Sequence, residues 1–203
     1  MKLFLTRHGQ TDWNLARRYQ GHSNTELNQV GIRQAELLAQ RLSKETIHAI
    51  YSSDLSRALD TAQKINSLQA TAKTVSTDKR WRELSFGDWE GMTYEEMAAY
   101  SPELFDAWMK DSLSISTPNG ETHRQLAERV QMAFDEIKAK HKDETVLVVG
   151  HSGSMQTLLS LTLGIDLSRY WQFRISQASL SELTVYEDSV TLNLFNDVSH
   201  LTP

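Results

Sequence analysis

With 203 residues the chain fits one domain of generous size, able to bury about 70% of the surface its unfolded form exposes without help from a disulfide or a metal. It contains no cysteine, which removes disulfide frameworks, thiolate zinc sites and a cysteine nucleophile, and which fits a reducing compartment. The net charge of −5 argues against a general affinity for nucleic acid, which needs clustered excess Lys and Arg, yet leaves room for a basic pocket that takes a small anion.

The opening MKLFLTRHG carries a short apolar run before Thr6 and Arg7. A signal peptide needs an apolar region of about 7–15 residues and a membrane span roughly 20, so a cytoplasmic protein with no membrane contact is expected. Only three prolines and nine glycines occur, and no repeat of fixed period is evident, so residues 1–203 read as one domain.

In chain order, Lys2 to Thr6 predicts a first strand. Residues 28–42 place Ile32, Ala35, Leu38, Ala39 and Leu42 at helical spacing. IHAIYSS (47–53) predicts a second strand, with Ser53 or Asp54 as the cap of the helix LSRALDTAQKI that follows. AKTVSTD predicts a short third strand. Residues 93–110 predict a helix in two pieces, broken near Ser101-Pro102. Residues 121–141 form a helix with Leu126, Val130, Phe134 and Ile137 in one stripe, and Glu121 reads as a first-turn acid. TVLVVGH (145–151) is an unbroken apolar strand, as expected for a sheet buried on both faces. MQTLLSLTLG returns as a helix, and LSELTVYE and VTLNLFN alternate as a terminal pair of strands.

Strands alternating with helices predict an α/β fold with a mostly parallel sheet, whose ligands bind beyond the carboxyl ends of the strands. Two strands end in glycine and histidine there. One delivers Arg7-His8-Gly9, the other Gly150-His151-Ser152, and the strand before Asp54 leads into a helix carrying Arg57. If these strands are neighbours, two histidines and two arginines converge. Zinc sites favour spacings such as H-E-x-x-H, which the chain lacks, and the arginines oppose a dication. Two guanidinium groups instead suit an anion with paired oxygens, and they keep a nearby imidazole neutral and nucleophilic. Phosphoryl transfer to a histidine is the chemistry this set favours. A carboxylate for the leaving group is available from Glu83, Asp88 or Glu90 in RELSFGDWEG. His22, His48, His123, His141 and His200 read as surface or core residues, and the tryptophans at 81, 89, 108 and 171 as core or pocket wall.

The stretches LTRHGQTDWN, YSSDLSRALDTA, RELSFGDWEGMTYEEM, PNGET and VLVVGHSGSM occur in the order seen in the histidine phosphatase (phosphoglycerate mutase-like) superfamily, and the chain resembles it over nearly its whole length. The resemblance implies a three-layer α/β/α sandwich and a phosphohistidine on His8. It implies phosphate binding by Arg7, Arg57 and His151, an acid–base role for Glu83, and pocket contacts from Asn14, Gln20 and Gly21. Gln10 stands where many members have glutamate, and Ser152, a candidate substrate contact, where many have glycine. The chain looks most like the α-ribazole phosphatase and broad-specificity or phosphoserine phosphatase branch. The expectation is a phosphomonoesterase acting without metal or cofactor on a small-molecule phosphate ester, as a monomer or homodimer. A phosphoglycerate mutase and a non-catalytic phospho-ligand binder are the alternatives. Residues 14–30 and a helical cover over 93–123, with Trp108 and Met109, are expected to set specificity.

Overall fold

The structure, a computed structural model, describes residues 1–201. Strands β1 (Lys2–Arg7), β2 (Ala49–Ser52), β3 (Val75–Thr77) and β4 (Thr145–Gly150) run parallel. Strand β5 (Leu180–Val185) lies antiparallel to β1, and β6 (Val190–Asp197) returns along its outer edge. The order across the sheet is β3-β2-β4-β1-β5-β6. The helices are α1 (Asp12–Leu15), α2 (Gln29–Leu42), α3 (Ser56–Ser67), α4 (Tyr94–Tyr100), α5 (Pro102–Lys110), α6 (His123–Lys140) and α7 (Ser152–Thr162).

The apolar strands face two cores because successive side chains leave a strand on opposite sides. Leu3, Leu5, Val146 and Val148 enter one core with Leu126, Val130, Phe134 and Ile137 of α6 and Met155, Leu158 and Leu159 of α7. Phe4, Leu147 and Val149 enter the other with Leu38, Ala39 and Leu42 of α2 and Ala58, Ala62 and Ile65 of α3. Helices on both faces of a mostly parallel sheet make the expected α/β/α sandwich. Proline at the first position of α5 separates it from α4, since its fixed φ suits a helix start and its ring stops the preceding helix.

Three local expectations need correction. Helix α3 is capped by the extended Leu55 with no side-chain bond; Asp54 is drawn off instead by Arg82, whose guanidinium donates to both its oxygens at 2.6 Å. Helix α7 begins at Ser152, directly after His151. Glu121 precedes α6, which Thr122 caps, and it pairs with Arg129.

The turn Ser199–Leu201 reaches back, through Ala178, to the end of β1. Ala178 donates its N–H to the carbonyls of Arg7 (3.0 Å) and His8 (3.3 Å), and its own carbonyl accepts from His200 Nε2 at 3.0 Å. Arg41 of α2 contacts His200 Nδ1 at 3.0 Å and pairs with Asp197. Ala178 holds φ at 50°, a left-handed conformation costing an alanine roughly 1–2 kcal/mol, so these bonds must fix it there.

Candidate active site

The register sets β1, β4 and β2 side by side with their carboxyl ends together: Arg7 pairs Gly150, and Ser52 pairs Val149. Beyond this edge lies a cavity of about 180 Å³, walled by Arg7, His8, Asn14, Arg18, Tyr19, Gln20, Arg57, Glu83 and Phe86. Wider surface grooves occur, one of about 570 Å³ beside Met1 and Val185, but none of them is lined by His8, Arg7 or Arg57.

His8 is buried, and its backbone N–H donates to Gly150 O at 3.0 Å. Its Nδ1 lies 2.6 Å from Gly9 O, a carbonyl that can only accept. The proton of a neutral ring therefore belongs on Nδ1, and the lone pair is left on Nε2. Burial, reinforced by the charges of Arg57 and Arg7, holds this imidazole well below the usual histidine range. The His151 ring stands 5.1 Å from it, equally buried and also held far below its ordinary pKa, first by burial and then by Arg57. His151 packs tilted beside His8, and neither of its ring nitrogens has a hydrogen-bond partner.

Both arginines are steered by backbone carbonyls. Arg7 donates from an Nη to Ile175 O at 2.8 Å. Arg57, wholly buried, donates to Ser23 O and Gly21 O, each at 2.8 Å. Burial brings the Arg57 pKa down to about 10 against the opposing pull of Glu83, so it stays charged at neutral pH. The Nε of each arginine and both ring nitrogens of His151 are buried without a hydrogen-bond partner. Buried unpaired donors are costly, so this cluster is suited to an anion with several oxygens. Among the described residues no three His, Asp or Glu groups gather as a metal site would require.

Asn14 joins the wall through the cap of α1. Thr11 N and Thr11 Oγ1 both donate to Asn14 Oδ1 at 3.1 Å, which leaves the Nδ2 donor for the cavity. Gln20 also lines the cavity, with its Oε1 taken by Thr25 Oγ1 at 2.6 Å. Two residues expected to touch substrate stand off the wall: Gly21 spends its carbonyl on Arg57, and Ser152 is half-buried at the start of α7. Gln10 turns to α2, donating to Gln34 Oε1 and accepting from Asn28 Nδ2.

Glu83 is set at the N-terminus of α7, where Gly153 N donates to both its oxygens (3.0 and 3.1 Å) and Leu84 N to one (2.8 Å). A side chain at position 153 would collide with Glu83 Oε1, so this approach requires glycine. Arg129 of α6 clamps the same segment, donating to the carbonyls of Arg80 (2.8 Å), Arg82 (2.7 Å) and Glu83 (2.7 Å). Asp88 lies outside the wall and accepts from Asn119 Nδ2.

The sequence reading passed over Arg18, Gly153 and Arg129. Arg18 lines the cavity mouth and bonds Glu96 of α4 at 2.7 Å. A second glycine two positions after His151 was the available signal for Gly153; nothing local marks Arg129, whose three carbonyl partners lie 46 to 49 positions away. His22 is also closer to the site than expected, donating from Nε2 to Glu83 O at 2.9 Å. His123 is buried and stacked on Tyr170 at 3.5 Å, its pKa pressed down to about 3 by burial. Trp81, Trp89 and Trp108 are core, whereas Trp171 is 65% exposed.

A sandwich of this topology, with histidines at the ends of adjacent parallel strands and arginines between them, is the architecture of one class of phosphate-handling proteins, and residues 3–198 match the histidine phosphatase superfamily (branch 1). The chain belongs to that family. Its relatives include phosphoserine phosphatase 1 of Hydrogenobacter thermophilus, 36% identical over 203 residues that span 99% of this chain and 94% of that protein. Phosphoglycerate mutase-like protein 4 of Arabidopsis thaliana is also 36% identical, over 98% of this chain and 86% of the other. Among solved structures, the alpha-ribazole phosphatase of Shigella flexneri superposes with a TM-score of 0.90 at 28% identity, covering 97% of this chain and 96% of its own. Among the described residues no helix is long and apolar enough to cross a membrane.

Proposed function

We propose that the protein is a phosphomonoesterase that hydrolyses a small phosphorylated metabolite through a phosphohistidine on His8. The observation that carries this reading is the contact of His8 Nδ1 with Gly9 O, which assigns the lone pair to Nε2, at a cavity that His8 shares with Arg7 and Arg57. Nε2 attacks phosphorus in line with the ester oxygen, forming the N–P bond as the P–O bond breaks. Arg7, Arg57, His151 and Asn14 Nδ2 stabilise the equatorial oxygens of the transferring group. Glu83 gives a proton to the leaving oxygen, then takes one from the water that attacks phospho-His8 and frees the ring. Membership of the family and the relative named as a phosphoserine phosphatase support hydrolysis.

The second reading, a phosphoglycerate mutase, is favoured by the mutase-like plant relative. It uses the same intermediate but returns the phosphoryl group to a substrate hydroxyl. We also propose that residues 93–123 cover the site, supported by the bond from Arg18 to Glu96 and by Trp108 packed edge-on against the wall residue Phe86 at 6.2 Å between ring centres.

A phosphate-release screen tests the assignment. It includes p-nitrophenyl phosphate, phosphoserine, α-ribazole phosphate and 3-phosphoglycerate, with a parallel assay for 2-phosphoglycerate. Release of phosphate, undiminished in EDTA, is expected; rapid isomerisation without release would overturn it in favour of the mutase.

A further inference from the structure

We infer that Glu90 is the positioning residue for Arg57, acting through the backbone of residues 21–23. This deepens the proposed function and rests on Arg57 being a phosphate ligand.

Arg57 does not hold itself. Both its Nη atoms are committed to the carbonyls of Gly21 and Ser23, so the guanidinium stands where that loop stands. The loop in turn has a charged anchor, beside the bond from His22 Nε2 to Glu83 O. Glu90 Oε1 accepts from His22 N at 2.8 Å, and Glu90 Oε2 accepts from Ser23 N at 2.7 Å and Ser23 Oγ at 2.6 Å. Oε1 also accepts from Phe86 N at 3.3 Å, which ties a wall residue of the cavity to the same carboxylate.

The alternation is telling. Within three residues, the carbonyls of 21 and 23 point to the cation while the N–H groups of 22 and 23 point to the anion. The peptide joining residues 21 and 22 is thereby aligned between a carboxylate and a guanidinium, which polarises its two bonds in series. Gly21 sits at φ 51°, and a side chain there would strike the Glu90 carboxylate, so the loop can approach Glu90 this closely only with glycine. Glu90 is not on the cavity wall, so it acts on phosphate only through groups that are, and Arg57, held by the loop, is the charged one among them.

The test is a double-mutant cycle read by calorimetric binding of inorganic phosphate to the full-length protein, with wild type, E90Q, R57K and E90Q/R57K. The amide of E90Q keeps the shape but presents an N–H₂ to backbone donors. Unpairing one such donor is expected to weaken phosphate binding about tenfold in the wild-type background. In the R57K background, where no fork remains to be held, the same change is expected to cost less than about twofold. A role confined to stability shifts the melting temperature and leaves phosphate affinity alone. Wild-type affinity in E90Q, or an equal loss in both backgrounds, overturns the inference. If E90Q does not fold, S23A carries the same cycle, since it removes only the hydroxyl contact, with a smaller loss expected. Wild-type protein that binds no phosphate would overturn the proposed function together with this inference; binding by wild type with an unaltered E90Q overturns the inference alone.

Discussion

At the scale of single residues, the two strand-end histidines differ in what their nitrogens can do. His8 has Nδ1 pinned by Gly9 O and so keeps one tautomer, whereas neither nitrogen of His151 is pinned. H8A is expected to abolish phosphate release, and E83Q to lower kcat by about 10²–10⁴ while leaving a measurable rate. An H8A enzyme of full activity would remove His8 as nucleophile. Nitrogen-resolved NMR of the histidines should find both rings still neutral at about pH 5.5, because burial and the arginines depress both. An imidazolium titrating near the ordinary value would contradict the site's electrostatics. The residues gathered at the candidate site, Arg7, His8, Arg57 and His151, were legible in the sequence because a histidine beside glycine at the end of a strand has few structural uses. Arg18, Arg129 and the task of Glu90 were not, because what defines them is a partner far along the chain: Glu90 meets His22 and Ser23 across 68 and 67 positions.

At the scale of elements, the site is a meeting of ends. Strand β1 supplies Arg7 and His8, β4 leads into His151, and the N-terminus of α7 holds the Glu83 carboxylate with the free N–H of Gly153, where a helix dipole favours negative charge. G153A is therefore expected to keep the fold but push Glu83 out of line, lowering kcat by up to about 10²-fold with little change in phosphate affinity. Circular dichroism and phosphate binding together separate that outcome from unfolding. The paired apolar strands were readable from their unbroken hydrophobic runs. The cap of α3 was not: Asp54 has the right chemistry for a cap, but the Arg82 guanidinium competes for it with two charge-assisted bonds.

At the scale of the whole molecule, the buried histidines link stability to pH. Above about pH 6.5 His8, His151 and His123 are neutral folded or unfolded, and they exert no pull on the equilibrium. Below it the unfolded chain takes up protons that the folded chain refuses, down to about pH 3 for His123. The urea midpoint should thus fall steadily as pH drops from about 6.5, and H123N should flatten that slope. A second, lower window comes from Asp197, held at about 2 by its hydrogen bond from Arg41: its contribution is whole above about pH 4 and fades as pH falls toward 2.

The clasp between Ala178 and His200 also bears on how the site comes together. The backbone of Arg7 and His8 is held by Ala178, and Ala178 by His200, so the geometry at the end of the first strand is set only by residues far along the chain. A nascent chain stalled before β6 carries every residue of the cavity wall, yet it should release no phosphate.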